Sequence, residues 1–148
     1  MSEPKATLTA EETMTIQSGI AAFETKQFAQ SYKLLFPLAE AGNVQAQYRI
    51  AIMAQNGLGM VVNQEEAFRF MQAAAQQGFD LAQHGIGFMY MEGECVEQDF
   101  SKAIYWFRQA AEQGLVGAQT TLGNLYEQGR GVKQDLEEAK RWYGKAGF

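Results

Sequence analysis

The single cysteine and the single histidine are the side chains that could begin nucleophilic or acid–base chemistry. Cys95 stands in the acidic segment 92–99, whose carboxylates disfavour a thiolate and so raise the pKa of the thiol. His84 has no serine of a G-x-S-x-G motif to activate, and one histidine with one cysteine cannot supply the ligands of a zinc site. We therefore predict no catalytic centre, no metal site and no cofactor.

Two Gly-x-Gly pieces, at 57–59 and 129–131, resemble parts of phosphate-binding loops. Neither follows a predicted strand, and neither has the G-x-x-x-x-G-K-[ST] spacing, so we interpret both as turns between helices. The carboxylates at 92–99 and 135–138 precede predicted helices, where anions are favoured by the helix dipole. The acidic run from Glu92 to Asp99 is either a solvated loop or a docking patch for a basic partner.

Composition and charge narrow the class of protein. The 148 residues include 12 Lys and Arg against 17 Asp and Glu, a net charge of −5 that argues against nucleic acid as a partner. Charged or amide residues interrupt every apolar patch before it reaches the roughly 20 residues that a membrane helix needs, so we expect no membrane insertion. The start of the chain lacks the apolar region of a signal peptide, which predicts a cytoplasmic location.

An internal repeat of 36 residues sets the architecture. The copies occupy 46–81, 82–117 and 118–148, and a divergent hairpin at 9–45 precedes them, after a flexible tail at 1–8. Similar residues recur in register, including Ile50, Ile86 and Leu122; Ala51, Gly87 and Gly123; and Phe70, Trp106 and Trp142. Small residues let helices approach closely and large aromatics fill the space between them, so each copy is predicted to be a helix hairpin. We expect Trp106 and Trp142 in the core.

Each hairpin has recognisable helix boundaries. Apolar residues at helical spacing mark a first and a second helix, separated by glycine-containing turns. Asn63, Asp99 and Asp135 precede the second helices as N-caps, and Thr9 with Glu12 forms the pattern of a capping box. We predict an all-α chain without β-sheet.

The repeat columns resemble those of the Sel1-like repeat family, which is related to tetratricopeptide repeats. The last copy matches the family pattern at Leu122, Gly123, Tyr126, Gly129, Gly131, Val132, Asp135, Ala139, Trp142 and Tyr143. The resemblance implies a right-handed superhelix, or solenoid, of stacked hairpins, with the first helices lining a concave face. It also implies a protein-interaction adaptor rather than an enzyme.

If the chain packs as the family does, a set of first-helix residues is exposed on the concave face and binds a segment of a partner protein. Apolar residues there either form a peptide groove centred on Phe88 or complete the core between hairpins. Polar members add specificity. The set is Tyr48, Ile52, Gln55, His84, Phe88, Met91, Thr120, Asn124 and Glu127.

Two other functions remain open from the sequence. One is an immunity or inhibitor protein that neutralises a cognate toxin or enzyme. The other is a hydrolase of the β-lactam-binding type, although the relatives concerned have a disulfide in each repeat and this chain has only Cys95. The last second helix is followed by no further helix, so we expect either a homodimer through that end or shielding by Tyr143 and Phe148.

Overall fold

The computed structural model describes residues 7–148, so six residues of the predicted N-terminal tail lie outside the described part. Within residues 7–148 there are eight helices and no strand. The helices are α1 (Ala10–Glu24), α2 (Phe28–Glu40), α3 (Val44–Asn56), α4 (Gln64–Gln76), α5 (Asp80–Glu92), α6 (Phe100–Glu112), α7 (Val116–Gln128) and α8 (Leu136–Lys145).

The helices pack as four successive hairpins. Each first helix (α1, α3, α5, α7) packs against the second helix that follows it (α2, α4, α6, α8), and each second helix except α8 packs against the next first helix. Contacts between hairpins therefore join sequence neighbours, as expected of stacked repeats. The predicted all-α solenoid is confirmed.

Local capping chemistry fixes where the helices begin and end. Thr9 and Glu12 form the predicted capping box at α1. The side chains of Asn63, Asp99 and Asp135 each accept a hydrogen bond from a free N–H of the first helical turn, which confirms the predicted N-caps. A left-handed glycine ends each of α3, α5 and α7, so the same sharp exit follows each of these helices.

The core between α5 and α6 depends on a close approach at Gly87. A Cβ atom built on Gly87 would lie 2.6 Å from the ring of Phe107, which is fully buried. Trp142 is buried as predicted, with 1% of its surface exposed. Trp106 is less buried than predicted. Phe107 is the fully buried aromatic residue of α6, and Trp106 is half-buried beside the exposed ring of Tyr105.

A glutamine relay joins consecutive helices. Gln83 of α5 donates from Nε2 to the carbonyl of Ala75 at 3.3 Å and accepts from Nε2 of Gln113 at 2.7 Å. Gln113, which follows α6, also donates to the carbonyl of Gly78. One hairpin earlier, Gln47 and Gln77 make the equivalent bonds. Buried amides thus satisfy carbonyls at the ends of the second helices.

The last copy of the relay is incomplete within the described residues. Gln119 donates to the carbonyl of Ala111 at 3.1 Å, but its buried Oε1 has no hydrogen-bond partner there. At the same end, the Tyr143 hydroxyl donates to Glu127, and the Phe148 ring lies 6.3 Å from that of Tyr143. Phe148 is 83% exposed, whereas the Tyr143 ring packs against Gly123 of α7; shielding by these two residues and a homodimer through this end both stay predictions.

Candidate functional site

The solvent-facing sides of α1, α3, α5 and α7 form a surface that we call the first-helix face. It holds most of the residues predicted to contact a partner. Phe88, Asn124 and Glu127 are exposed, and four others are half-buried, namely Tyr48, Ile52, Gln55 and His84. Thr120 is also half-buried there.

Phe88 is the central aromatic residue of this face. Its ring meets His84 edge-on at 4.9 Å between centroids and Phe107 at 5.1 Å, while 38% of its surface remains exposed. Leu81, one helical heptad earlier on α5, is 41% exposed on the same side. Phe88 is therefore held by the core below it and open to solvent above it.

Met91 does not belong to the exposed set. It is 5% exposed and packs in the core, so the prediction that it lies on the open surface is wrong. At 3.6 residues per turn, Met91 lies about 60° around the helix from Phe88, on the flank that meets neighbouring helices. The apolar Met91 is buried on this flank, whereas the equivalent polar residues are half-buried in the case of Gln55 and exposed in the case of Glu127.

His84 bridges two first helices. Its Nε2 lies 3.3 Å from the Thr121 hydroxyl of α7, and its ring also meets that of Phe107. Burial lowers the pKa of His84 below its ordinary value of 6.5, so the imidazole is neutral at pH 7. The neutral imidazole packs against Phe88 and Phe107 and lies within hydrogen-bond distance of Thr121.

On α3 the predicted residues are tied to neighbouring segments. The Tyr48 ring packs edge-on against Phe79 at 5.1 Å, in the connection to α5. Gln55 donates from Nε2 to a carboxylate oxygen of Glu94 at 3.1 Å. These contacts join Tyr48 and Gln55 to the segments that precede and follow α5.

Cys95 occupies the turn after α5 in a left-handed conformation, with φ of 65°. Glycine stands in the equivalent turns at Gly59 and Gly131, with φ of 70° and 74°. Burial and, to a lesser extent, the Glu94 carboxylate raise the pKa of the Cys95 thiol; the sequence predicted this direction from the carboxylates alone. The thiol form therefore predominates at neutral pH, which disfavours nucleophilic reactivity.

The part of the chain that the structure describes has no cluster of three or more His, Cys, Asp or Glu residues suited to a metal ion. No helix in residues 7–148 is long and apolar enough to cross a membrane.

A family model for the Sel1 repeat matches three segments of the chain, at residues 44–79, 80–115 and 116–147. The chain is a Sel1-repeat protein. The matched segments begin at the first residues of α3, α5 and α7, so each family repeat corresponds to one observed hairpin. The first hairpin, α1 and α2, lies outside the match.

Two solved structures are similar to this Sel1-repeat chain. A Sel1 repeat protein from Oxalobacter formigenes is 32% identical, with a TM-score of 0.83 over 89% of this chain and 53% of that one. A protective antigen of uropathogenic Escherichia coli strains, with an SLR fold, is also 32% identical, with a TM-score of 0.85 over 91% of this chain and 30% of that one. The chain thus spans about half or less of these relatives. A comparison with curated proteins finds no match.

Some residues of the Sel1-repeat surface were missed by the sequence reasoning. Leu81 was omitted although it shares the helical side of Phe88, a relation that heptad spacing could have shown. The glutamine relay was also missed, although a glutamine follows alanine at the same position of all three copies. The recurrence of a polar residue beside a core alanine was its signal.

Proposed function

We propose that this Sel1-repeat chain is a protein-interaction module whose first-helix face binds a segment of a partner protein, with Phe88 as the central apolar anchor. The observation that carries the proposal is the state of Phe88, fixed by His84 and Phe107 yet 38% exposed. A large ring already held in place loses little conformational freedom when a partner covers it. Membership of a repeat family implied to act in protein interaction supports the same function.

The surroundings of Phe88 suit an interface. Leu81 offers exposed apolar surface on the same side of α5, Ile52 and Tyr48 are half-buried on α3, and Asn124 offers an exposed amide on α7. Interfaces gain most of their energy from a few central apolar or aromatic residues, while polar residues at the rim set orientation. We therefore assign Phe88 the anchoring role and Asn124 a role in specificity, together with Glu127, His84 and Gln55.

Selection from a random peptide library displayed on phage, with the immobilised protein as bait, tests this function. Enriched peptides are then measured by fluorescence anisotropy against the wild type, Phe88→Ala and Tyr105→Ala. Tyr105 is a suitable control because it is a 55% exposed aromatic residue on a second helix. We expect Phe88→Ala to weaken binding by at least about tenfold and Tyr105→Ala by less than about twofold.

Stability must be measured alongside affinity, since Phe88 also contacts buried Phe107. Thermal unfolding followed by circular dichroism defines the temperature at which both variants are fully folded, and binding is compared there. If folded Phe88→Ala retains wild-type affinity for every enriched peptide, the first-helix face is not the binding surface.

A further inference from the structure

Charge is distributed unequally between the two sets of helices. The four first helices contain six acidic residues and one basic residue, Arg49. The acidic residues are Glu11, Glu12, Glu24, Asp80, Glu92 and Glu127. The rest of the chain has equal numbers of acidic and basic residues, so the first helices account for the whole net charge of −5.

Three of these carboxylates, with a fourth from a loop, lie at or beside the C-terminal ends of first helices. Glu24 and Glu92 end α1 and α5, and Glu127 lies in the last turn of α7. All three are exposed, and Glu94 bonds to Gln55 in the last turn of α3. We call Glu24, Glu92, Glu94 and Glu127 the acidic row. It follows the C-terminal ends of the four first helices, and Glu92 lies about one helical turn after Phe88 on the same side of α5.

The first helices supply no cation at these ends, where Glu127 accepts a hydrogen bond from Tyr143 and Glu94 from Gln55. The C-terminal end of a helix has a partial negative charge of its own, and none of α1, α3, α5 and α7 has a basic residue in its last turn. Both ion pairs found within residues 7–148 join residues of second helices, Arg69 with Glu40 and Arg141 with Glu138.

Two basic residues near the row in sequence, Arg49 and Arg130, have contacts with other groups. Arg49 donates to Gln45 and lies over the Phe23 ring, and Arg130, in the turn after α7, lies over the Phe100 ring. Lys26 follows α1 in the short loop to α2. Carboxylates placed against helix dipoles without paired cations cost stability, and a partner cation would relieve that cost.

From this arrangement we infer that the partner segment is basic and amphipathic. Its apolar side chains cover Phe88 and Leu81, and its lysine or arginine side chains pair with the acidic row. This inference rests on the proposed function and names the chemistry of the partner. Charge complementarity disfavours acidic segments, because a carboxylate beside Glu92 and Glu127 would meet like charge.

The library selection described above gives the first test. Phe88-dependent peptides are expected to be enriched in Lys and Arg and to combine these with Leu, Phe or Trp. A chosen basic peptide is compared with a scrambled peptide of identical composition and with a Lys→Glu version. We expect the scrambled peptide to bind at least about fivefold more weakly and the Lys→Glu version not to bind, because geometry as well as charge is required.

Two triple variants with the same change in net charge give the second test. One neutralises the acidic row (Glu24→Gln, Glu92→Gln, Glu127→Gln), and the other neutralises exposed carboxylates of second helices (Glu65→Gln, Glu112→Gln, Glu137→Gln). Circular dichroism first establishes that both are folded. We expect about tenfold weaker binding of the basic peptide for the first and less than about twofold change for the second. Raising salt from about 0.1 to 1 M should abolish the difference, because the Debye length shrinks from about 10 to 3 Å.

The possible outcomes distinguish a failure of the basic-partner inference from a failure of the proposed interaction function. Phe88-dependent peptides that are neutral or acidic would overturn the basic partner and leave the interaction module intact. Equal losses in the two triple variants would show attraction to net charge alone and overturn the acidic row as a site. Absence of any Phe88-dependent peptide contradicts the proposed function itself.

Discussion

Gln83 and Gln119 are equivalent buried residues that should respond differently to the same substitution. They are 5% and 6% exposed, and each donates to a carbonyl near the end of the preceding second helix. Oε1 of Gln83 accepts from Gln113, whereas Oε1 of Gln119 has no partner within the described residues. Methionine is unbranched and close to glutamine in size, so Gln83→Met and Gln119→Met remove polar groups without opening a large cavity.

The expected magnitudes follow from the hydrogen bonds that each substitution removes. Gln83→Met loses two bonds, worth about 1 kcal/mol each, and we expect a loss of about 1 to 2 kcal/mol. Gln119→Met loses one bond but also removes a buried acceptor whose desolvation costs about 1 to 3 kcal/mol. Its free energy of unfolding should therefore stay within about 0.5 kcal/mol of the wild type or rise.

Urea denaturation followed by far-UV circular dichroism measures both variants. With a slope of about 2 kcal/mol per M, the expected difference separates the two midpoints by about 0.5 to 1 M. Gln113→Ala supplies the control, because it leaves Oε1 of Gln83 without its donor. In that background Gln83→Met should cost no more than Gln119→Met does. Equal losses for Gln83→Met and Gln119→Met in the wild type would refute the relay as a source of stability.

Three further predictions concern the core, the histidine and the left-handed turns. Trp142→Ala should lower the free energy of unfolding, measured by chemical denaturation, by about 3 to 5 kcal/mol. Trp106 is half-buried, so Trp106→Ala should lower it by less than half as much. Equal losses for the two variants would contradict the observed packing. Because burial lowers the pKa of His84 in the folded state, the free energy of unfolding should be constant from pH 8 to 7 and should fall as the pH drops below about 6.5, where only the unfolded chain takes up the proton. The substitution His84→Gln should remove this pH dependence. An unchanged pH dependence in that variant would show that it does not come from His84. Gly59→Ala should lower the free energy of unfolding by more than about 2 kcal/mol, because its Cβ would lie 2.5 Å from the backbone nitrogen of Ala29. Cys95→Ala, at a similar φ, should lower it by less than about 1 kcal/mol. Comparable shifts in the unfolding temperatures of the two variants would contradict the clash at Gly59.

The helices could be predicted from sequence because their boundaries depend on local chemistry. The caps at Asn63, Asp99 and Asp135 need only a short oxygen-bearing side chain before a helical pattern. The repeat at 36 residues then sets which helices pack together. Burial within a helix depends on its neighbours instead. Trp106 and Phe107 are adjacent large aromatics, and only the packing against Gly87 decides that Phe107 takes the core position.

The face around Phe88 could be predicted in part, since first-helix residues spaced by three or four share a side of the helix. Met91 was misplaced because equivalence with Gln55 and Glu127 ignores polarity, which turns an apolar side chain inward at the edge of the face.

The acidic row illustrates a second limit of sequence reasoning. The loop at 25–27 is shorter than the loops at 57–63, 93–99 and 129–135, so Glu24 does not align with Glu92 at the 36-residue offset. Only the bounds of the folded helices show that Glu24, Glu92 and Glu127 share a position at the C-terminal ends of first helices, and that Glu94 bonds to the end of α3 from a loop. The small and aromatic core residues recur in every repeat because every hairpin has the same packing to satisfy. No packing constraint requires carboxylates at the C-terminal ends of the first helices, where they have no ion-pair partner among the described residues. A feature that the fold does not need, and that helix dipoles disfavour, is better explained by a bound cationic partner than by stability.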